Sequence, residues 1–478
     1  MAEVLTPDLC VIGAGASGLA VAQAARRLGA SVVIVERGDT GGMSLKAGAL
    51  ALRAFAAAAD KAAAARDGGA FGVYGEPSKV SFRKVHDHVA EVIGRGTSEV
   101  APAKLAADGI DLVKGIGAFT DPRTLRVGDT EIRARRFVIA TGARPVQPDI
   151  PGLLSVPYFT TETIFDNTRK LTHLVIIGAG PMGLELALAH RRLGCDVTVV
   201  EPGKALPQAD PELAEIALRR LRDEGVTLLD ESAIVAIQAR SQGIGVVIRN
   251  RDEPGTLDAS HILVASAQAA ALGDLNLDAA RIRRNKSDAG ALSLSASLRT
   301  TNPKVWAVGE AAGHAPSPHL AEIEADLVVR AALLGRQSRY DPAAIPRLTL
   351  TDPPIAEIGL TEPMARGRFR TGFSVLRVSY AENDMARAGR ESMGVVKLIV
   401  ARGGHILGAG IVGAAAAELA ALFALAIEQK IPAGRLAELA APYPSYADLA
   451  RQLGEQAARS TPRSALEKRL LTLNRLLR

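Results

Sequence analysis

Two stretches of this chain repeat one pattern. DLCVIGAGASGLAVAQAARRLGASVVIVER covers residues 8–37, and LVIIGAGPMGLELALAHRRLGCDVTVVEP covers residues 174–202. Each reads as an apolar strand, G-x-G-x-x-G, an amphipathic helix, a second apolar strand and an acid. The first copy holds Gly13, Gly15, Gly18 and Glu36, and the second holds Gly178, Gly180, Gly183 and Glu201, with the same spacing from first glycine to acid. The first glycine of such a unit allows a tight turn. The second lets backbone approach a pyrophosphate, and the third lets the helix pack on the strand. The phosphates sit at the helix N-terminus, where free N–H groups and the helix dipole favour anions. The acid accepts hydrogen bonds from a ribose diol. One G-x-G-x-x-G is weak evidence, whereas two complete units commit the chain to an α/β fold with two Rossmann-like dinucleotide-binding domains. One held and one exchanging dinucleotide suit FAD and NAD(H), because flavin accepts hydride from nicotinamide. Glu201 repels a 2′-phosphate, which favours NADH over NADPH.

The rest of the sequence bounds this reading. A length of 478 residues exceeds one ordinary core, and 48% hydrophobic content suits a globular α/β chain. Of the net charge of +6, residues 459–478 carry +5, so the body is near neutral. With aromatics at 4%, there is no basic, aromatic-interleaved face for nucleic acid. No apolar run is long enough to span a membrane. The start, MAEVLTPDLCVIGAG, lacks the basic-then-apolar pattern of a signal peptide, so a cytoplasmic location is expected. The two cysteines, Cys10 and Cys195, lie in or beside strands of different units, and no C-x-x-C or C-x4-C pair exists. His86 and His88 lack further clustered ligands and read as a solvated helix face. No metal site is expected.

Further segments resemble one family. FVIATGARP (137–145), with Thr141 and Gly142, resembles the A-T-G segment that leaves an FAD domain. VWAVGEAAG (305–313) resembles a flavin-contacting V-x-A-x-G-D segment, with Gly309 in place and Glu310 where aspartate is usual. IPRLTLTDPPIAEIGLTE (345–362) resembles the opening of a dimerisation domain, and APYPSYADL (441–449) lies where an H-P-T segment is carried. Over residues 5–455 the chain is similar to the pyridine nucleotide-disulfide oxidoreductases, nearest dihydrolipoamide dehydrogenase and mercuric reductase-like members. The resemblance implies an FAD domain in two pieces (1–150 and 271–341), an NAD domain between them (151–270), and a C-terminal α+β dimerisation domain (342–458) of a homodimer.

The chain departs from that family at the relay that carries electrons from flavin. The family motif G-G-T-C-x4-C-I-P-S-K reads here Gly41, Gly42, Met43, Ser44, then Ala49 and Arg53. Neither serine nor alanine forms a dithiol couple. The family's catalytic histidine falls on Tyr443 and its orienting glutamate on Asp448. A tyrosine of ordinary pKa, about 10, is a poor base near neutral pH, although it donates hydrogen bonds. The nicotinamide half is retained in the resemblance. Glu185 matches the glutamate that reaches toward the flavin, and Arg53 stands where the family has lysine, so an Arg53–Glu185 pair is expected. Ser317, Pro318 and His319 precede a helix whose N–H groups are expected to face the flavin, with His319 contributing backbone.

These residues support an FAD-dependent NAD(P)H oxidoreductase without a disulfide relay, passing electrons to a small acceptor such as a quinone or oxygen. Two other readings use the same residues: a nicotinamide nucleotide transhydrogenase, and a flavin-binding sensor or partner subunit that has lost turnover. In the tail, Leu466, Leu470, Leu473 and Leu477 share one helical face with basic residues around them. That face suits either docking on the protein's own dimer or peripheral contact with a membrane or partner through residues 462–478.

Overall fold

In a computed structural model, residues 3–74, 79–250, 253–288, 290–314, 318–336, 339–341 and 345–460 are described. The basic tail at 462–478 lies outside them. The chain divides into two compact units, Met1–Lys204 with Val226–Tyr340, and Ala205–Gly225 with Asp341–Arg478.

The first unit holds two parallel five-stranded sheets. In one, the strands run in the order Val305–Ala307, Arg136–Ile139, Leu9–Ile12, Val32–Glu36, Ile110–Lys114. In the other they run Phe159–Thr160, His261–Val264, His173–Ile177, Asp196–Val200, Thr227–Leu229. The central strands are nearly continuous runs of Val, Ile and Leu because both sheet faces are covered. LCVI at 9–12 is buried at every position. In each sheet the glycine-motif strand pairs on one side with the strand that its own helix leads to, and on the other with a strand from later in the chain. That reversal of strand order leaves a crevice at the carboxyl ends of the strands, directly above the glycine turn.

Helix Ala49–Asp67 carries the alanine-rich run and packs on helix Pro181–Arg192 of the second motif. Phe55 and His190 are in ring contact at 4.8 Å, and Arg192 reaches Asp60 at 2.6 Å. Burial lowers the His190 pKa to about 4, so this imidazole is a neutral packing element.

The second unit is an antiparallel five-stranded sheet in the order Arg347–Thr349, Ile355–Gly359, Ile406–Val412, Val395–Ala401, Phe373–Ser379. Helices Pro211–Asp223, Ala416–Glu428 and Asp448–Ser460 pack on it. Its interior includes a buried cation, Lys397. The ammonium meets Asp210 at 2.9 Å, Glu212 at 2.8 Å and Glu362 at 2.9 Å. Among the described residues no helix is long and apolar enough to cross a membrane.

Candidate functional site

The two glycine turns have the same internal division of labour. Gly13 has φ +110, and a Cβ there would lie 2.2 Å from the Ala140 carbonyl oxygen. A Cβ on Gly18 would lie 1.9 Å from the Gly13 oxygen. Gly178 and Gly183 repeat this, at 2.7 Å from the Ala265 oxygen and 2.3 Å from the Gly178 oxygen. The middle glycines differ: a Cβ on Gly15 or Gly180 would meet nothing within 4 Å. Four of the six glycines are therefore demanded by the protein's own packing. The other two leave an open cradle at a helix N-terminus, where an approaching pyrophosphate needs the space.

The acids are positioned alike. Glu36 accepts the N–H of Ala14 at 2.7 Å and that of Gly38 at 2.7 Å. Glu201 accepts from Ala179 at 2.9 Å and from Gly203 at 3.1 Å. Each oxygen takes one backbone donor and keeps a second lone pair for a ribose hydroxyl.

Around the first turn the structure adds a pocket. It is lined by Gly13, Glu36, Arg37, Ile116, Thr141 and Asp274, among others. The Thr141 Oγ1 is buried and has no hydrogen-bond partner, a condition a bound polar group would relieve. Gly142 follows at φ +67. The Gly41–Gly42 segment closes over the turn: Gly41 donates its N–H to Ala14 at 2.8 Å, and a Cβ on Gly42, at φ +60, would stand 3.0 Å from the Gly15 Cα. Ser44 follows in the short helix Gly42–Lys46.

Gly309 and Glu310 form a short turn after strand Val305–Ala307. Glu310 is half-buried, and burial, then the neighbouring Glu324 carboxylate, push its pKa up. Helix Pro318–Leu334 begins earlier than the sequence pattern suggests, so His319 is an exposed residue of its first turn rather than a residue ahead of it. Proline at the first helical position needs no N–H partner and sets that boundary. Ser317 lies outside the described residues.

Arg53, Glu185, Tyr443 and Asp448 are the expected catalytic groups, and the structure gives them separate settings. Arg53 and Glu185 lie on the packed helices Ala49–Asp67 and Pro181–Arg192, and Glu185 is buried. Among the described residues no ion pair joins them, and the Arg53 Nε is buried with no hydrogen-bond partner. A planar guanidinium does not take the place of a compact ammonium without a matched acceptor. Nor are Tyr443 and Asp448 a couple. Asp448 starts helix Asp448–Ser460 and accepts from Arg451 at 2.6 Å and Gln452 at 2.7 Å, the side chains that helix geometry stacks next to it. Tyr443 is 81% exposed and donates its hydroxyl to Asp384 at 3.1 Å. That hydrogen bond and the Asp384 charge raise the phenol pKa, so Tyr443 is a donor at neutral pH and not a base.

The cysteines stand apart from all of this. Both are free and buried. Burial pushes both thiols up, Cys195 to about 11. Among the described residues there is no group of His, Cys, Asp and Glu able to hold a metal ion.

Residues 7–326 match the pyridine nucleotide-disulphide oxidoreductase family, and residues 345–453 match its dimerisation domain. The chain belongs to the pyridine nucleotide-disulphide oxidoreductase family. It is similar to the mercuric reductase of Streptomyces lividans, 31% identical over 450 residues that cover 92% of this chain and 94% of that protein. It is also similar to the dihydrolipoyl dehydrogenase of Geobacillus stearothermophilus, 30% identical over 465 residues, 94% of this chain and 96% of that one. The Cu(II) complex of the HOCl-induced flavoprotein disulfide reductase RclA from Escherichia coli shares the fold. Its TM-score is 0.82 at 24% identity, covering 94% of this chain and 99% of that one. Members of this oxidoreductase family bind FAD and use a nicotinamide dinucleotide. The open cradles at Gly15 and Gly180, the two oriented acids and the orphaned Thr141 hydroxyl fit that pair of cofactors.

One arrangement escaped sequence reasoning. Glu324, 0% exposed, accepts the Gly309 N–H at 2.6 Å and meets the His314 imidazole through its other oxygen. The signal was present: Glu324 falls on the stripe Leu320, Ala321, Ala325, Val328 of an otherwise apolar helix face. A carboxylate at such a position implies a buried partner.

Proposed function

We propose that the chain is an FAD-dependent NADH oxidoreductase that delivers electrons to a small acceptor, such as a quinone or oxygen, without a disulfide relay. The observation that carries this reading is the placement of its thiols. The only two cysteines are Cys10, in a strand of one parallel sheet, and Cys195, just ahead of a strand of the other; both are buried and free, with Ser44 and Ala49 at the positions where the family motif has its pair. Protonated thiols enclosed in two cores do not form a dithiol couple.

FAD, when bound, supplies hydride acceptance from the nicotinamide and onward electron transfer. The chain's own residues bind and orient. The Gly13–Gly18 turn and Glu36 hold one dinucleotide; the Gly178–Gly183 turn and Glu201 hold NADH, and the Glu201 charge repels a 2′-phosphate. Thr141, Gly142, Gly309 and Glu310 border the flavin side, with Gly42 and Ser44 closing over the phosphates. Arg53 and Glu185 stand as the charged groups nearest the reacting end. Tyr443 turns its one hydroxyl proton from Asp384 to the acceptor, in a homodimer built on the dimerisation domain and working in the cytoplasm.

An anaerobic NADH titration of the purified flavoprotein tests this reading. One NADH per flavin is expected to bleach the flavin completely. Uptake of a second electron pair per flavin would mean a relay exists and overturn the proposal.

A further inference from the structure

We propose that His314 is a cofactor-positioning residue, whose imidazole donates a hydrogen bond to the buried Glu324 carboxylate and so locks the Gly309–Glu310 turn against the flavin. The inference rests on that turn facing the flavin.

Glu324 is fully enclosed, and a lone ionised carboxylate cannot remain so without compensation. Its two oxygens are assigned separately. One accepts the Gly309 N–H at 2.6 Å, and the other faces the His314 Nδ1. His314 is only 20% exposed and stacks on Tyr340 at 4.6 Å and 17°. The ring is therefore held by its face as well as its edge. The same short segment closes on itself through Gly313 N–H to the Glu310 carbonyl at 3.0 Å and His314 N–H to the Gly309 carbonyl at 3.3 Å. A Cβ on Gly309 would lie 2.5 Å from the Ser17 Oγ, so this turn packs tightly on the helix of the first glycine motif.

The groups facing Glu324 leave His314 as its side-chain hydrogen-bond partner. Glu310 is a carboxylic acid that Glu324 disfavours in its charged form, and the Tyr340 phenol, pushed up to about 12 by burial and then by Glu324, stands there uncharged. Helix Ala16–Arg27, packed on the Glu324 helix, has no ionisable side chain in its first eight residues. Without the imidazole, Glu324 is an unpaired buried anion next to the half-buried Glu310. The turn can relieve that conflict by opening toward solvent.

The test measures the FAD dissociation constant of the holoprotein, from recovery of flavin fluorescence on dilution, at pH 8. His314→Ala is expected to weaken FAD binding by about tenfold or more at pH 8. His314→Ala with Glu324→Gln should return binding to within about threefold of the parent, since a neutral amide still accepts the Gly309 N–H. His314→Gln, which keeps a donor but not the ring stacked on Tyr340, should fall between and serves if His314→Ala does not fold. Glu310→Ala is the reference for the placement of the turn. If Glu310→Ala releases FAD and His314→Ala does not, the proposal is overturned and the turn's placement survives. If neither releases FAD, the placement fails and takes the proposal with it. A double variant no better than His314→Ala also overturns it, because loss of the ring would then act through packing.

Discussion

Glu201 accepts the backbone N–H of Ala179 at 2.9 Å, which fixes its carboxylate beside the second glycine turn. A group held by backbone cannot swing away from a ribose that carries a phosphate. Glu201→Ala is therefore expected to raise KM for NADH by about tenfold, the scale of a lost hydrogen bond to a charged acceptor, and to narrow the preference over NADPH. Steady-state kinetics with both nucleotides checks this. An unchanged NADH:NADPH ratio would remove Glu201 from specificity.

The glycines separate binding from folding. Gly15→Ala and Gly180→Ala place a methyl group in open space with φ near −75° at both sites, so melting temperature should hold. Cofactor affinity should fall, for FAD in the first variant and for NADH in the second. Gly18→Ala puts a Cβ 1.9 Å from the Gly13 oxygen and should destabilise the fold by about 1–3 kcal/mol, as overpacking does. Paired measurements of melting and cofactor content check the split.

Lys397 should be a stability residue of the second unit. Lys397→Met leaves Asp210 and Glu362 without their shared cation, at an expected cost of about 3–5 kcal/mol by denaturant unfolding. Burial pushes the Glu362 carboxyl up, but hydrogen bonds from Lys397 and Arg366 outweigh it and hold the pKa near about 2. A depressed carboxylate stabilises the fold above its unfolded pKa, about 4.3, and that contribution is lost as pH falls toward 2. Acid unfolding of the parent should fall in this window, and the variant should lose most of that dependence.

The thiols should be silent. A colorimetric disulfide reagent is expected to leave the folded protein unmodified and to titrate two thiols after denaturation. Cys10→Ala with Cys195→Ala should keep NADH-dependent turnover within about twofold, since both substitutions are small buried changes. Loss of turnover with intact FAD content would return a thiol to the mechanism.

Tyr443 should act only as a donor. Its phenol is raised further by the Asp384 hydrogen bond and charge, so it stays protonated throughout the neutral range. Tyr443→Phe should lower kcat by about tenfold, the scale of one donor, without changing the pH profile below pH 9. A new inflection near neutrality in the parent alone would mean that Tyr443 transfers a proton.

What the sequence made legible was local. A glycine turn, its helix and the acid 23 positions later form one strand-turn-helix-strand unit, so their geometry follows from short-range constraints, and both copies came out as expected. The pairings that the sequence did not announce are set by tertiary placement. Asp448 found neighbours along its own helix, whereas Tyr443 found Asp384, 59 positions away. Lys397 meets Asp210 across 187 positions, and no periodicity announces that. Glu324 was the exception in kind, a charge on an apolar stripe whose partner lay only ten positions back.

The bridge between Gly15 and Gly41 sets the two glycine turns apart. It lays a backbone strap across the first glycine turn, and among the described residues no bridge spans Gly180 in the same way. The same strand order and the same glycines thus yield one fastened turn and one unfastened turn on a single chain, an asymmetry that would suit a held dinucleotide at the first and an exchanging one at the second.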